Sequence, residues 1–265
     1  MIPLRDENPT TTRPVVTWAL IAVCVAVFLL QGAGHEILDP VTAGLAMIPA
    51  RVLGDRPVEL PLMLEVGRRV VVEVPPAAVP EWLTLLTCTF LHGSWLHLLG
   101  NVWVLFIFGD NVEERFGRWR YLAFYLASGV LASATHLATE PSSPIPTVGA
   151  SGAIAGVMGA YLLLYPRARV LALIPLGFFL HLTVVPAALF LGLWFLLQVL
   201  QGVVTLGGEA VGGVAWWAHI GGFAAGVGLA ALLRHTGRLR PQPTVIQLRG
   251  GRMRRGGVPP RRPWI

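Results

Sequence analysis

A serine at position 151 stands in "VGASGAIAGVMGAY" (148–161), a stretch built almost wholly from small and apolar residues. A hydroxyl is a weak nucleophile that needs a neighbouring base, and imidazole is the side chain that titrates near neutrality. The chain offers one at His219, in "WWAHIGGFAAGV" (216–227). Each residue also has a structural reading. A serine in an apolar helix can return its proton to its own backbone, and a buried histidine can be a satisfied polar group. The surroundings favour chemistry. Gly149, Gly152, Gly156 and Gly159 keep bulk away over three turns, and Gly222 and Gly226 share the helical face of His219. Two such helices can approach until a hydroxyl meets an imidazole. No carboxylate lies near His219 in the sequence, so a dyad is expected rather than a triad.

His97 and Asn101 are spaced i, i+4 and share a helical face. With His92 they could ligate a metal, but neither a carboxylate nor an H-E-x-x-H pattern accompanies them. The other reading is an oxyanion hole, in which an imidazole, an amide and the Ser151 N–H donate to a tetrahedral oxygen. One such donor is worth about 3–4 kcal/mol in the transition state, enough to justify burying these polar groups. The two cysteines, Cys24 and Cys88, have neither zinc nor redox spacing and are expected to be free thiols.

The elements that position these residues are membrane helices. Of the 265 residues, 54% are hydrophobic and only 13% charged, with a mean hydropathy of +0.65. A soluble domain carries about 25% charged residues, so a polytopic membrane protein is predicted. Apolar runs fall at 15–30, 94–109, 121–139, 149–165, 183–201 and 215–233. The first could be a signal peptide, but "QGAGHEILDP" after it is a poor cleavage site and five more runs follow. The segment "VLALIPLGFFLHLTV" (170–184) is too apolar for a loop. Pro175 and Pro186 make it an interfacial or kinked lead-in to the fifth span. This gives a segment 1–14, an all-α membrane domain 15–233 with a long external loop 31–93, and a tail 234–265 that is broken by Pro and Gly and expected to be disordered. Around "RRVVVEVP" the long loop alternates like a strand.

Orientation follows from arginine, since all twenty basic residues are Arg. "ERFGRWR" and "YPRAR" carry Arg115, Arg118, Arg120, Arg167 and Arg169, and the tail carries nine more arginines and no acid, while 140–148 and 202–214 have none. The positive-inside rule places both termini and these loops in the cytoplasm. The pI near 10.3 therefore reflects a basic tail on an acidic body, suited to anionic lipid at about 1 kcal/mol per residue rather than to nucleic acid. With that parity the second, fourth and sixth helices run inward from outside. Their first turns hold His97 and Asn101, Ser151, and His219 respectively. Polar side chains at one depth on three helices predict a shared cavity open to the outside.

In combination, "FLHGSWLHLLGNVWVLFIFG", "VEERFG", "GASGAIAGVMGAY" and "AHIGGFAAG" resemble the rhomboid intramembrane serine proteases in order and spacing over nearly the whole membrane body. The resemblance implies a six-transmembrane-helix rhomboid-like bundle with Ser151 as nucleophile, His219 as base and then acid, and His97, Asn101 and the Ser151 N–H as oxyanion hole. It also implies a structural polar network of Glu113 and Arg115, for which the alternative is an ordinary solvated loop. It implies transmembrane protein substrates, no metal and no cofactor, and the chain's shape suits a bacterial inner membrane. Two departures stand out. Trp82-Leu83 replaces a Trp-Arg pair common in relatives, which bears on the anchoring of the external loop. Ala155 replaces an aromatic that packs on the catalytic histidine, leaving Trp216 or Trp217 to hold the His219 ring. The rival readings are a catalytically silent relative that binds transmembrane helices, and a small transporter or channel. The presence of both serine and histidine argues against the first, and polar residues confined to one depth argue against the second.

Overall fold

Glycine, proline and borrowed capping groups set the ends of the helices. In the computed structural model, which describes residues 1–32, 39–54, 58–63, 69–176, 179–205, 214–241, 245–247 and 253–255, α1 (Val15–Leu30) follows Pro14, whose side chain cannot cap. Its first-turn donors are met from another helix: Val16 N–H and Thr17 N–H donate to the Glu113 carboxylate at 3.0 and 2.8 Å. After it come α2 (Pro40–Leu45), α3 (Pro49–Leu53) and α4 (Thr84–Thr87). Asp39 caps α2 by accepting from Val41 N–H and Thr42 N–H, with Pro40 at the first helical position.

Ser94 caps α5 (Trp95–Phe116), which ends at Gly117, whose φ of +77° suits glycine. There the chain turns directly into α6 (Arg118–Thr139). The remaining helices are α7 (Ser151–Leu164), α8 (Ala187–Thr205) and α9 (Trp216–His235). By length and composition, α5, α6, α8 and α9 are able to cross a membrane. The apolar α1 and α7 have 16 and 14 residues, fewer than the ~20 that span hydrocarbon unaided. For α7 the shortness has a structural context: every residue from Gly152 to Tyr161 is buried, so protein surrounds this helix. The chain is a mainly helical polytopic membrane protein, as predicted.

The segment 170–184 is not a kinked helical entry to the fifth span, and its strands were not expected from the sequence. It forms an antiparallel hairpin, β4 (Arg169–Leu176) and β5 (Phe179–Pro186), with Arg169 opposite Pro186. The fifth membrane helix accordingly starts at Ala187, and 183–186 belong to a strand. Pro175 and Pro186 lack the N–H a helix would use and push the residue before them toward extended backbone, and the β-branched Val and Thr residues fit a pleated surface. The N-terminal β1 (Ile2–Asp6) adds antiparallel to β4, giving a sheet in the order β1-β4-β5. This sheet lies along α5: the Trp103 indole donates to Pro3 O at 2.7 Å, and Asn111 donates to Asp6 at 3.0 Å.

Between α1 and α5, β2 (Glu59–Met63) pairs antiparallel with β3 (Arg69–Glu73), the latter within the alternating "RRVVVEVP". Ile48, Val58, Leu60 and Val74 form a small core of their own there. In the tail, β6 (Val245–Gln247) pairs with β7 (Met253–Arg255).

Candidate active site

The site begins with a backbone that only glycine suits. Gly149 has φ of +132°, and a Cβ there would lie 2.8 Å from His97 Nε2. Its N–H donates to Cys88 O at 2.9 Å, tying this turn to the segment before α5. Two residues on, Ser151 opens α7. At the first helical position its N–H has no partner within the helix, and it makes no backbone hydrogen bond among the described residues.

α7 and α9 meet through the small residues that the sequence singled out. A Cβ on Gly222 would overlap the carbonyl oxygen of Gly152, and one on Gly226 that of Gly156. On the α6 side of α7, a Cβ at Gly152 would come within 2.6 Å of Ala132, and one at Gly156 within 2.6 Å of Ser128. Helices this close bring side chains from different turns into direct contact. His219 Nε2 lies 2.8 Å from Ser151 Oγ.

The other imidazole nitrogen has a partner that sequence reasoning missed. His219 Nδ1 lies 2.7 Å from Gln198 Oε1 on α8. The Trp194 ring, one turn earlier, stands 6.0 Å from the imidazole, and Trp216 meets it edge-on at 6.2 Å. Trp217 makes no ring contact with it among the described residues. Ala155 is fully buried, so α8 supplies what an aromatic at 155 does not. A signal was available in the sequence: Gln198 is a lone amide within "LWFLLQVL", and intramembrane polar residues are functional candidates by default.

A cavity of about 860 Å³ opens beside the pair, lined by Ser151, His219, His97 and Asn101, with Ser133 and His136 of α6 also on its wall. Asn101 is buried, and its Nδ2 has no hydrogen-bond partner among the described residues. A buried amide left unpaired is costly, and this donor is met once an acceptor enters the cavity. His97 accepts a long bond from Gly93 N–H on Nδ1 at 3.5 Å, the arrangement that leaves a proton on Nε2, the nitrogen next to Gly149. His92 packs edge-on to His97 at 5.2 Å. Its burial, and then the nearby His97, push it down to about 4, so it is neutral at pH 7. Among the described residues, no three His, Cys, Asp or Glu side chains converge to hold a metal ion. Cys24 and Cys88 are free and buried, and burial pushes the Cys88 thiol up to about 11.

At the far end of α5, Glu113 and Arg115 serve different segments. Glu113 takes both α1 donors and the Thr17 hydroxyl (2.8 Å), while the Arg115 guanidinium bonds the Arg240 carbonyl beyond α9. Glu114, not singled out in the sequence, accepts from Thr11 N–H, the Thr11 hydroxyl and Thr12 N–H at 2.7–2.8 Å. Within the long loop, where Trp82-Leu83 lies, an arginine ties separate stretches to one another. Buried Arg51 bonds the carbonyls of Ala43, Pro75 and Ala46 and pairs with Glu81 at 3.0 Å.

The Rhomboid domain family matches residues 79–236, more than half of the chain. Rhomboid protease GluP of Bacillus subtilis is 44% identical over 82 residues, which are 31% of this chain and 16% of that protein. The chloroplastic rhomboid-like protein 11 of Arabidopsis thaliana is 33% identical over 159 residues, 58% of this chain and 53% of that protein. Rhomboid-like protein 4 of the same plant is 35% identical over 159 residues, covering 58% and 35%. The match spans about half or less of the length of these relatives.

Proposed function

Because this chain belongs to the rhomboid family, we propose that it is an intramembrane serine endopeptidase that cleaves membrane-protein substrates within or beside their transmembrane helices. The observation that carries this reading is the 2.8 Å contact between Ser151 Oγ and His219 Nε2, at the wall of a cavity that also holds the unpartnered amide of Asn101. Ser151 Oγ attacks the scissile carbonyl carbon while its proton passes to His219 Nε2. The tetrahedral oxygen accepts from Asn101 Nδ2, from His97 Nε2–H and from the Ser151 N–H. The imidazolium then protonates the leaving amine, and a water activated by the same imidazole hydrolyses the acyl-enzyme. A substrate helix must expose a carbonyl for this, which favours segments whose backbone bonding is already broken. The chain is read with both termini on the cytoplasmic side, where its arginines concentrate, so water reaches the cavity from the opposite face. A bacterial inner membrane suits this arrangement.

Some relatives carry the name rhomboid-like rather than protease, so the second reading is a silent binder of transmembrane helices. One experiment separates the two. A fluorophosphonate probe labels Ser151 in the protease and leaves a silent binder unmodified. Ser151→Ala and His219→Ala are each expected to abolish cleavage of a tethered single-span reporter, and cleavage retained by either purified variant defeats the mechanism.

A further inference from the structure

α8 turns mostly leucine outward and one amide inward. Leu196, Leu197 and Leu200 are 51%, 56% and 53% exposed, whereas Gln198 among them is 7% exposed. A buried amide is costly unless both its ends are bonded. Here the Nε2 end donates to Trp194 O at 3.4 Å, which leaves Oε1 as the atom facing His219 Nδ1 at 2.7 Å. A carbonyl oxygen only accepts, so Nδ1 must carry the imidazole proton. Nε2 then presents its lone pair to the Ser151 hydroxyl, 2.8 Å away.

We propose that Gln198 is the positioning residue of the site, an uncharged third member behind Ser151 and His219. This rests on the serine protease reading above. Gln198 holds the ring in the tautomer that can take the Ser151 proton. When that proton arrives on Nε2 the ring carries a positive charge, and the Nδ1–H stays where it is, pointing at the amide oxygen. No proton passes to Gln198, which is neutral before and after the step. A carboxylate in this place would also favour the imidazolium by charge, whereas an amide supplies orientation and a dipole. The same turn of α8 places Trp194 against the ring, so α8 secures both the rotation and the tautomer of a residue on α9.

Three variants of the full-length protein test this with the reporter and with ¹⁵N-histidine NMR. Gln198→Leu keeps the bulk and removes the acceptor. Its kcat is expected to fall at least about tenfold with KM nearly unchanged, because the neutral ring can then adopt the wrong tautomer. The single His219 Nδ1–H resonance expected of the parent is expected to give way to a tautomer mixture in this variant. Gln198→Glu restores an acceptor with charge, so activity returns and the acid limb of the kcat/KM profile moves to higher pH. A glutamine that only fills space would leave the tautomer as it is, and a carboxylate out of reach of Nδ1 would leave the limb as it is. The proposal is overturned if Gln198→Leu keeps the parent kcat or the parent tautomer, or if Gln198→Glu leaves the limb in place. Should Gln198→Leu fail to fold, the limb of Gln198→Glu decides alone. Ser151→Ala is the separate control: cleavage by that variant defeats the protease reading itself, whatever the tautomer of His219.

Discussion

Asn101 brings an unpartnered amide to the wall of the cavity. It is buried, His97 is its polar neighbour one turn earlier on α5, and its amide nitrogen bonds nothing among the described residues. That cost is offset if the donor meets an oxygen whose charge develops only during reaction. Asn101→Ala is therefore expected to lower kcat by about 10²-fold, roughly 3 kcal/mol in the transition state, with KM little changed. Steady-state cleavage of the reporter measures the split, and an equal change in both constants would point to ordinary substrate binding. Asp6 shows the opposite situation, an acid whose burial raises its pKa. Burial, opposed by the Tyr161 hydroxyl at 2.5 Å and reinforced by Asp110, moves its carboxyl from the usual 3.8 to about 7. Between those values the folded form holds more protons than the unfolded form, so stability falls as pH rises through this window and levels off above it. Asp6→Asn is expected to gain thermal stability over the parent progressively from pH 4 to pH 7. Melting curves of the detergent-solubilised protein across that range check the sign.

At the scale of elements, α1 cannot cap itself. Pro14 brings no side-chain acceptor, and the Val16 and Thr17 N–H groups go to a carboxylate on α5. Glu113 thus joins the ends of two helices that are far apart in the chain. Glu113→Ala leaves those N–H groups and the Thr17 hydroxyl without their acceptor and is expected to cost about 2–3 kcal/mol. Glu113→Gln keeps one acceptor oxygen and should lose less. Thermal unfolding of both variants gives the comparison, and the sign of a structural role is that the probe still labels Ser151 in folded Glu113→Gln. The α7–α9 contact makes a stricter demand. Gly222 faces the Gly152 carbonyl, while Gly228, two turns further along α9, has nothing within 4 Å of where its Cβ would lie. Gly222→Ala must push the helices apart, at about 1–3 kcal/mol, and lengthen the Ser151–His219 contact. Gly228→Ala on the same helix should leave stability and cleavage as they are. Parallel melting and cleavage assays of the two variants decide this.

At the scale of the whole molecule, the candidate site is an intersection of four helices. α5 brings His97 and Asn101, α7 brings Ser151, α9 brings His219, and α8 brings Gln198. The central helix α7 is the shortest of the six apolar helices and is buried from Gly152 to Tyr161, so protein surrounds the helix that carries Ser151. The segment between α1 and α5 adds its own small core and the Arg51 tie, and it reaches the turn before α7 through the Met47–Thr147 bridge. The sheet of β1, β4 and β5 flanks the other end of α5.

The membrane class, four of the six apolar helices to within a few residues, and the placing of Ser151, His219, His97 and Asn101 at one cavity were legible in the sequence alone. Each leaves a local trace: an apolar run, a stripe of small residues, or a polar side chain where polarity is costly. Other features have no local trace. The 170–184 segment is apolar enough for either helix or strand, and its pairing with residues 2–6 decided between them, because periodicity cannot separate short apolar runs. The resemblance implies a structural polar role for Glu113, but nothing near it in the sequence says that its partners are the first turn of α1. Arg51 could not be connected to Glu81 from spacing alone. Gln198 stood out as a polar residue in an apolar helix, but which histidine it faced depended on how α8 and α9 pack. Sequence determined which groups are present and roughly how deep they lie, since hydropathy and residue size act along the chain. Which groups touch was decided only by tertiary structure, because a hydrogen bond of 2.7 Å depends on the relative placement of helices that no single segment encodes.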